Sequence, residues 1–343
     1  MATTQKIIVL RFSAMGDVAM VASVLKEFSE QNPAVEIIMV SREAFKPFFN
    51  GIENLTFHAL NPKTVHKGIA GLYKLYQELR KYQPTAIADL HDNLRSRTIS
   101  TFFRLNGTKI KRIDKGRAEK KALTRADNKI FKPLRQTVER YADVFRELGF
   151  KVNLSHKLTR SPLEVPDKAG ILFQDKSIKK IGISPFAQHI YKVYPLEKME
   201  TVISALSGQG YELFIFGGGK TEQAIAEKWA KNYSNAHNLI GNFNLSEELA
   251  IISNLDLMLS MDSSGMHMAS LVGVPVVSVW GPTHPYAGFL GYGQAASDCI
   301  QVDHPARPNS IYGNKPCTCG VESCMNLIKP ETIVNKILEK LNG

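Results

Sequence analysis

The sequence predicts two α/β domains, each built on a parallel β-sheet. Three observations predict it. The chain has 343 residues, more than one hydrophobic core comfortably serves. Apolar runs of strand length alternate with amphipathic runs of helix length, the order expected of βαβ units. The alternation pauses in a polar stretch with two prolines, residues 155–175, and then restarts. The expected division is one domain over 1–160, a second over 170–329, and a C-terminal helix over 330–343.

In the first half, KIIVLRF reads as a buried strand. The helix after it places Val18, Val21, Ala22, Leu25 and Phe28 on one face, at amphipathic spacing. VEIIMVS is a second strand, GIAGLYKLYQELRKYQP a helix that ends at Pro84, and TAIADLH the next strand. A helix from about Leu94, a strand near KIKRI and the helix TVERYADVFRELGF complete this half. In the second half the strands are KKIGISPF, YELFIFGGG, DLMLSMD and VPVVSVWG. The helices between and after them are LEKMETVISALSGQG, KTEQAIAEKWAKNY, LSEELAIISNL, SGMHMASLVG and KPETIVNKILEKLNG. Parallel sheets collect ligands beyond the carboxyl ends of their strands. Two such domains facing each other enclose a cleft there.

Composition narrows the class. With 44% hydrophobic and 22% charged residues the chain reads as an ordinary globular protein. The apolar run before Arg11 is too short for a signal peptide, and SLVGVPVVSVWG is too short and too broken to span a bilayer, so a cytoplasmic protein is expected. Four cysteines do not make a disulfide scaffold; Cys317, Cys319 and Cys324 cluster, with Cys299 upstream, and their spacing leaves a metal site undecided. The formal charge is +11, and Arg104 to Arg140 holds thirteen Lys or Arg against four Asp or Glu. Such a stripe suits a polyanion or an anionic membrane surface, although a solvated basic face has the same composition. Basic and aromatic residues do not interleave as on an RNA-binding platform, so no nucleic acid partner is expected.

Two familiar phosphate motifs fail. FGGGKT ends like a Walker A loop, but Phe214 stands where the first glycine is required. RFSAMGDV lacks G-x-G-x-x-G, which argues against a nicotinamide or flavin dinucleotide. What remains are three turns. In the first, Gly16 permits a tight bend and Asp17 follows at a helix start, where the macrodipole keeps a carboxylate ionised and able to accept a proton. A first-turn aspartate is also an ordinary helix device. The second, SPFAQHIYKVYP, offers Ser184, Gln188 and Lys192, donors suited to a pyrophosphate. In the third a strand ends at Asp262, and Ser263-Ser264-Gly265 opens a helix whose backbone N–H groups suit an anion. His267 lies on that helix, where a packed core histidine is the commoner role.

Taken together, these turns resemble the ADP-heptose:lipopolysaccharide heptosyltransferases, glycosyltransferase family 9. The counterparts are Gly16-Asp17, Lys192 shortly before Pro195, the run Asp262-Ser263-Ser264-Gly265-Met266-His267-Met268-Ala269, and Gly281-Pro282-Thr283. Ser264 departs from the pattern, standing where the family usually has glycine. The resemblance implies GT-B architecture, two Rossmann-like domains facing across a cleft. It implies that Ser184, Lys192 and Ser263–Gly265 face a nucleotide diphosphate, that Asp262 and His267 shape the nucleotide pocket, and that Glu222 contacts the ribose. The first domain would hold the acceptor, with Ser13, Gly16, Arg95 and Arg97 near it and Asp17 as general base.

The implied activity is inverting transfer of a heptose, or a related sugar, from ADP-heptose to a lipopolysaccharide core, without cofactor or metal. No Asp-x-Asp metal motif occurs in the chain. Arg95, Arg97 and the Lys109–Arg125 segment would grip acceptor anions, with peripheral contact to the inner membrane. The competing expectations are a nucleotide-sugar epimerase of the same two-domain shape and a non-catalytic anion-binding protein.

Overall fold

The computed structural model describes residues 5–342, so the first four residues of the expected 1–160 domain and Gly343 of the expected C-terminal helix lie outside the described residues. The chain divides into two units: Met1–Lys115 with Gln136–Ser155, and Gly116–Arg135 with His156–Gly343.

The first unit carries β1 (Gln5–Leu10), α1 (Met15–Gln31), β2 (Val35–Ser41), β3 (Leu55–Ala59), α2 (Gly68–Arg80), β4 (Ala86–Asp89), α3 (Leu94–Arg104) and β5 (Lys109–Arg112). Its sheet runs β3-β2-β1-β4-β5, and every pairing is parallel. β1 and β2 carry unbroken apolar runs, Ile7–Leu10 and Ile37–Val40, because helices cover both faces of a parallel sheet. The expected stripe of α1 is wholly buried. α2 and α3 pack side by side on the opposite face, where Leu72, Leu75, Leu79, Ile99 and Phe103 meet Ile8, Leu10, Ile38 and Ile87. β3 escaped the sequence reading because none of its positions is fully buried.

Helix α4 (Arg117–Leu123) belongs to the second unit, and α5 (Thr137–Leu148) returns to the first. The basic stripe expected as one surface is therefore split at Gly116. The cause is apolar: Leu123 and Leu134 pack with Ala287, and the Leu134 N–H donates to the Tyr286 carbonyl at 2.9 Å.

The second unit continues with α6 (Asp167–Gly170), β6 (Lys180–Ser184), α7 (Leu196–Ser207), β7 (Glu212–Ile215), α8 (Lys220–Asn232) and β8 (Ala236–Asn238). It then has α9 (Leu245–Ser253), β9 (Leu257–Met261), α10 (Ser264–Leu271), β10 (Val276–Trp280) and β11 (Cys299–Gln301). A small antiparallel hairpin, β12 (Thr318–Cys319) with β13 (Glu322–Ser323), precedes α11 (Pro330–Asn342). The six-stranded parallel sheet runs β11-β10-β9-β6-β7-β8. The last helix is part of this unit's core, burying Ile333, Val334 and Ile337.

The polar passage at 155–175 is docked rather than free. Leu163 N–H donates to Ser253 Oγ at 2.9 Å. Gly273 has φ of +76°, and a Cβ there would lie 2.3 Å from the Thr159 carbonyl oxygen. Gly273→Ala should therefore destabilise the protein by roughly 1–3 kcal/mol, from left-handed backbone strain plus the backbone clash. Chemical denaturation checks this; an unchanged midpoint would show that 156–165 yields freely.

Candidate active site

At the carboxyl end of β1 the chain bends through Ser13, Ala14 and Gly16, and α1 begins with Asp17 in its first turn. One carboxylate oxygen accepts from the Arg11 guanidinium at 2.7 Å and from the Ala14 N–H at 3.3 Å. The other accepts from the Tyr141 hydroxyl at 3.2 Å. A carboxylate offers about four lone-pair positions, so three donors leave one open. The side chain is 25% exposed.

Arg11 is itself fixed: it donates to the Leu90 carbonyl at 2.8 Å. The adjacent Phe12 N–H donates to His91 Nδ1 at 3.0 Å. Burial, reinforced by Arg11 and Lys115, lowers the His91 pKa to about 3, so its ring stays neutral. Arg11, His91 and Tyr141 were not singled out from sequence. Arg11 sits in the same turn and His91 just past a strand end, which are the signals available; Tyr141 comes from a distant helix and had none.

Below the bend, Asp89 at the end of β4 is fully buried. It accepts from the backbone of His91 and Asp92 and from the Ser96 hydroxyl, which ties the loop to the start of α3. Burial raises its pKa even so. Arg97 is exposed but paired with Asp92 at 2.6 Å, whereas Arg95 points to solvent. Ser13 and Gly16 are half-buried beside Asp17.

The second unit gathers most of the expected donor residues at the carboxyl edge of its sheet. Ser184 ends β6, and Gly265 lies against it so closely that a Cβ on Gly265 would fall 2.3 Å from Ser184 Oγ. Ser263 precedes α10 with extended backbone and makes no side-chain capping bond, leaving first-turn N–H groups of Ser264 and Gly265 for another acceptor. Lys192 Nζ pairs with Asp262 at 3.0 Å, and its stem crosses Gly313, where a Cβ would clash at 2.2 Å. His267 is buried within α10.

Glu222, in the first turn of α8, accepts from the Gly218 N–H at 2.7 Å, which closes the Gly217–Gly219 loop. Gly217 is pressed between Phe186 and Glu222, so that loop adjoins the segment after β6. Gln188 is exposed and makes no hydrogen bond with these groups among the described residues.

Sequence reasoning also missed Arg307. It is buried, and its guanidinium donates to the carbonyls of Trp280, Gly281 and Thr283, pinning the Gly281-Pro282-Thr283 turn after β10. The cysteine cluster seen in the sequence is brought together. Cys317 and Cys324 form a disulfide, Cys319 Sγ lies 3.4 Å from Cys324 Sγ, and Cys299 sits apart beside Ser278.

Solved structures share this fold. A glycosyltransferase family 9 protein from Veillonella parvula superposes with a TM-score of 0.76 at 19% identity, covering 99% of this chain and 98% of that one. The heptosyltransferase WaaC of E. coli, solved with ADP, superposes with a TM-score of 0.68 at 17% identity, covering 98% of this chain and all of that one (100%). Two parallel-sheet units of this kind define GT-B architecture.

Sequence comparison gives the narrower assignment. The profile of glycosyltransferase family 9 (heptosyltransferase) matches residues 72–310, and the chain belongs to that family. The lipopolysaccharide core heptosyltransferase OpsX of Haemophilus influenzae is 25% identical over 283 residues, covering 81% of this chain and 79% of OpsX.

Glu248, in the first turn of α9, adds a titration. Burial raises its pKa from 4.5 to about 7. A carboxyl raised on folding contributes stability that is fully present below its unfolded value and is lost as pH rises through the folded one. Wild-type melting temperature should fall relative to Glu248→Gln between about pH 4.5 and pH 7. Parallel melting curves for the two proteins across that window would contradict the shift.

Proposed function

We propose that the chain is an inverting heptosyltransferase that moves a heptose from ADP-heptose to a lipopolysaccharide inner-core acceptor, with Asp17 as general base. The observation that carries the proposal is Asp17 itself: a carboxylate held from three sides, partly exposed, at the carboxyl edge of a parallel sheet. The reaction needs an acceptor hydroxyl to lose its proton as it attacks the anomeric carbon. A placed general base contributes about 10²–10⁴-fold to such a step. A single direct displacement inverts that carbon.

The leaving side needs positive charge where the diphosphate develops negative charge. Lys192 and the first-turn N–H groups of α10 supply it, with Ser184 beside them. To reach a phosphate, Lys192 leaves Asp262 or shares it. Glu222 keeps one oxygen for a ribose hydroxyl while the other holds the Gly218 N–H. Asp262 and His267 form the wall beneath the nucleotide, and Gln188 reaches in from the exposed loop.

On the acceptor side, Ser13 and Gly16 border the base, and Arg95 and Arg97 meet the carboxylates and phosphates of the inner core. Because such an acceptor is anchored in lipid, we place the reaction at the cytoplasmic face of a membrane. Among the described residues no helix is long and apolar enough to cross one. The names of the relatives support the sugar and the acceptor class, and the family match favours transfer over epimerisation.

Asp17→Asn should lower kcat by about 10²–10⁴-fold while leaving ADP-heptose affinity within about twofold. Retained turnover removes Asp17 as the base. Lys192→Ala should weaken donor binding in a titration and slow transfer as well, by tenfold or more for a charge-assisted contact of about 1.5–3 kcal/mol. Unaltered binding would make Lys192 merely the partner of Asp262.

A further inference from the structure

Residues 63–112 hold eleven Lys or Arg against three acids, Glu78, Asp89 and Asp92. All three acids are engaged. Asp89 is fully buried, Asp92 is buried and paired with Arg97, and one oxygen of Glu78 sits 3.1 Å from both His58 Nε2 and His66 Nε2. The outer surface of this segment is therefore left with its cations. Lys67, Lys74, Arg80 and Arg104 are all exposed.

The same surface carries apolar side chains that the core does not use. The inner faces of α2 and α3 are already filled against the sheet. Outside, Ile69 is 75% exposed, Tyr73 50% and Leu105 80%. Ile69 and Tyr73 are one turn apart on α2. The Tyr73 ring lies 5.7 Å from Phe102 on α3, and Leu105 is three residues beyond Phe102, so the two helices present one continuous patch.

We propose that the outer faces of α2 and α3 dock the protein onto a bilayer bearing anionic phospholipid headgroups, with Ile69, Tyr73 and Leu105 entering the interface and Lys67, Lys74 and Arg104 meeting the headgroups. Charge complementarity selects this occupant. Cations around an apolar patch, with no unengaged acid among them, match an anionic lipid surface, where basic residues add attraction and apolar ones add burial. The proposal deepens the reading above, because a lipid-anchored acceptor requires an enzyme at the membrane. Its own support is the surface, independent of which sugar moves.

The test is sedimentation of the full chain with vesicles, which needs no turnover. The protein should bind vesicles of phosphatidylglycerol and phosphatidylethanolamine, bind phosphatidylcholine vesicles far less, and lose much of the binding at high salt. The triple variant Ile69→Asp, Tyr73→Ser, Leu105→Ser should bind at least about tenfold more weakly. A second triple variant, Lys67→Glu, Lys74→Glu, Arg104→Glu, alters only exposed positions and should show a similar loss.

Both variants should keep wild-type transfer to a lipid-free core oligosaccharide, which separates loss of docking from loss of the active site. Wild-type protein that ignores anionic vesicles overturns the proposal, as do variants that bind them undiminished. Wild-type binding to heparin but not to vesicles assigns the patch to a soluble polyanion instead, and loss of lipid-free transfer in both variants assigns it to acceptor binding.

Discussion

Within each sheet all strands run the same way, and the placement of the chemistry depends on that constraint. Parallel strands must be joined by crossovers, so every strand of a sheet delivers its following loop to the same edge. In the first unit that edge receives Asp17 after β1 and the His91–Asn93 loop after β4. In the second it receives Ser184 after β6, Glu222 after β7 and the Ser263–Gly265 turn after β9. Residues far apart in sequence become neighbours there because of strand order. β9 lies beside β6 and β6 beside β7, so the three turns occupy adjacent positions along the edge.

A sheet edge supplies position, and side chains from elsewhere supply precision. Asp17 is oriented by Arg11 from the end of its own strand and by Tyr141 from α5, after an intervening excursion of the chain into the other unit. The Gly281-Pro282-Thr283 turn is shaped by Arg307, which donates to the carbonyls of Gly281 and Thr283 and to that of Trp280 just before them. Such long-range braces are what hold a loop residue as firmly as one within a helix.

Local chemistry was readable from residues, and long-range pairing was not. The strand–turn–helix order, the buried face of α1 and the serine-glycine start of α10 follow from apolar spacing and turn residues, and all appear in the structure. The brief strands β8 and β11 carry too few residues for a period to show, and β3 has no fully buried position to mark one. The fate of Gly116–Arg135 was hidden because its charge dominates its composition, while Leu123 and Leu134 decide where it packs. Arg307 and Tyr141 act through contacts more than twenty residues away, which no local pattern encodes.

The pairing of Lys192 with Asp262 has a consequence for the resting protein. With its ammonium neutralised from within, Lys192 offers no bare charge to the phosphates and organic acids that crowd a cell. Any anion that engages it must compete with a built-in carboxylate, which filters weak ones out. When such an anion departs, the same carboxylate recaptures the lysine. Selectivity on entry and ease of exit thus arise from a single ion pair.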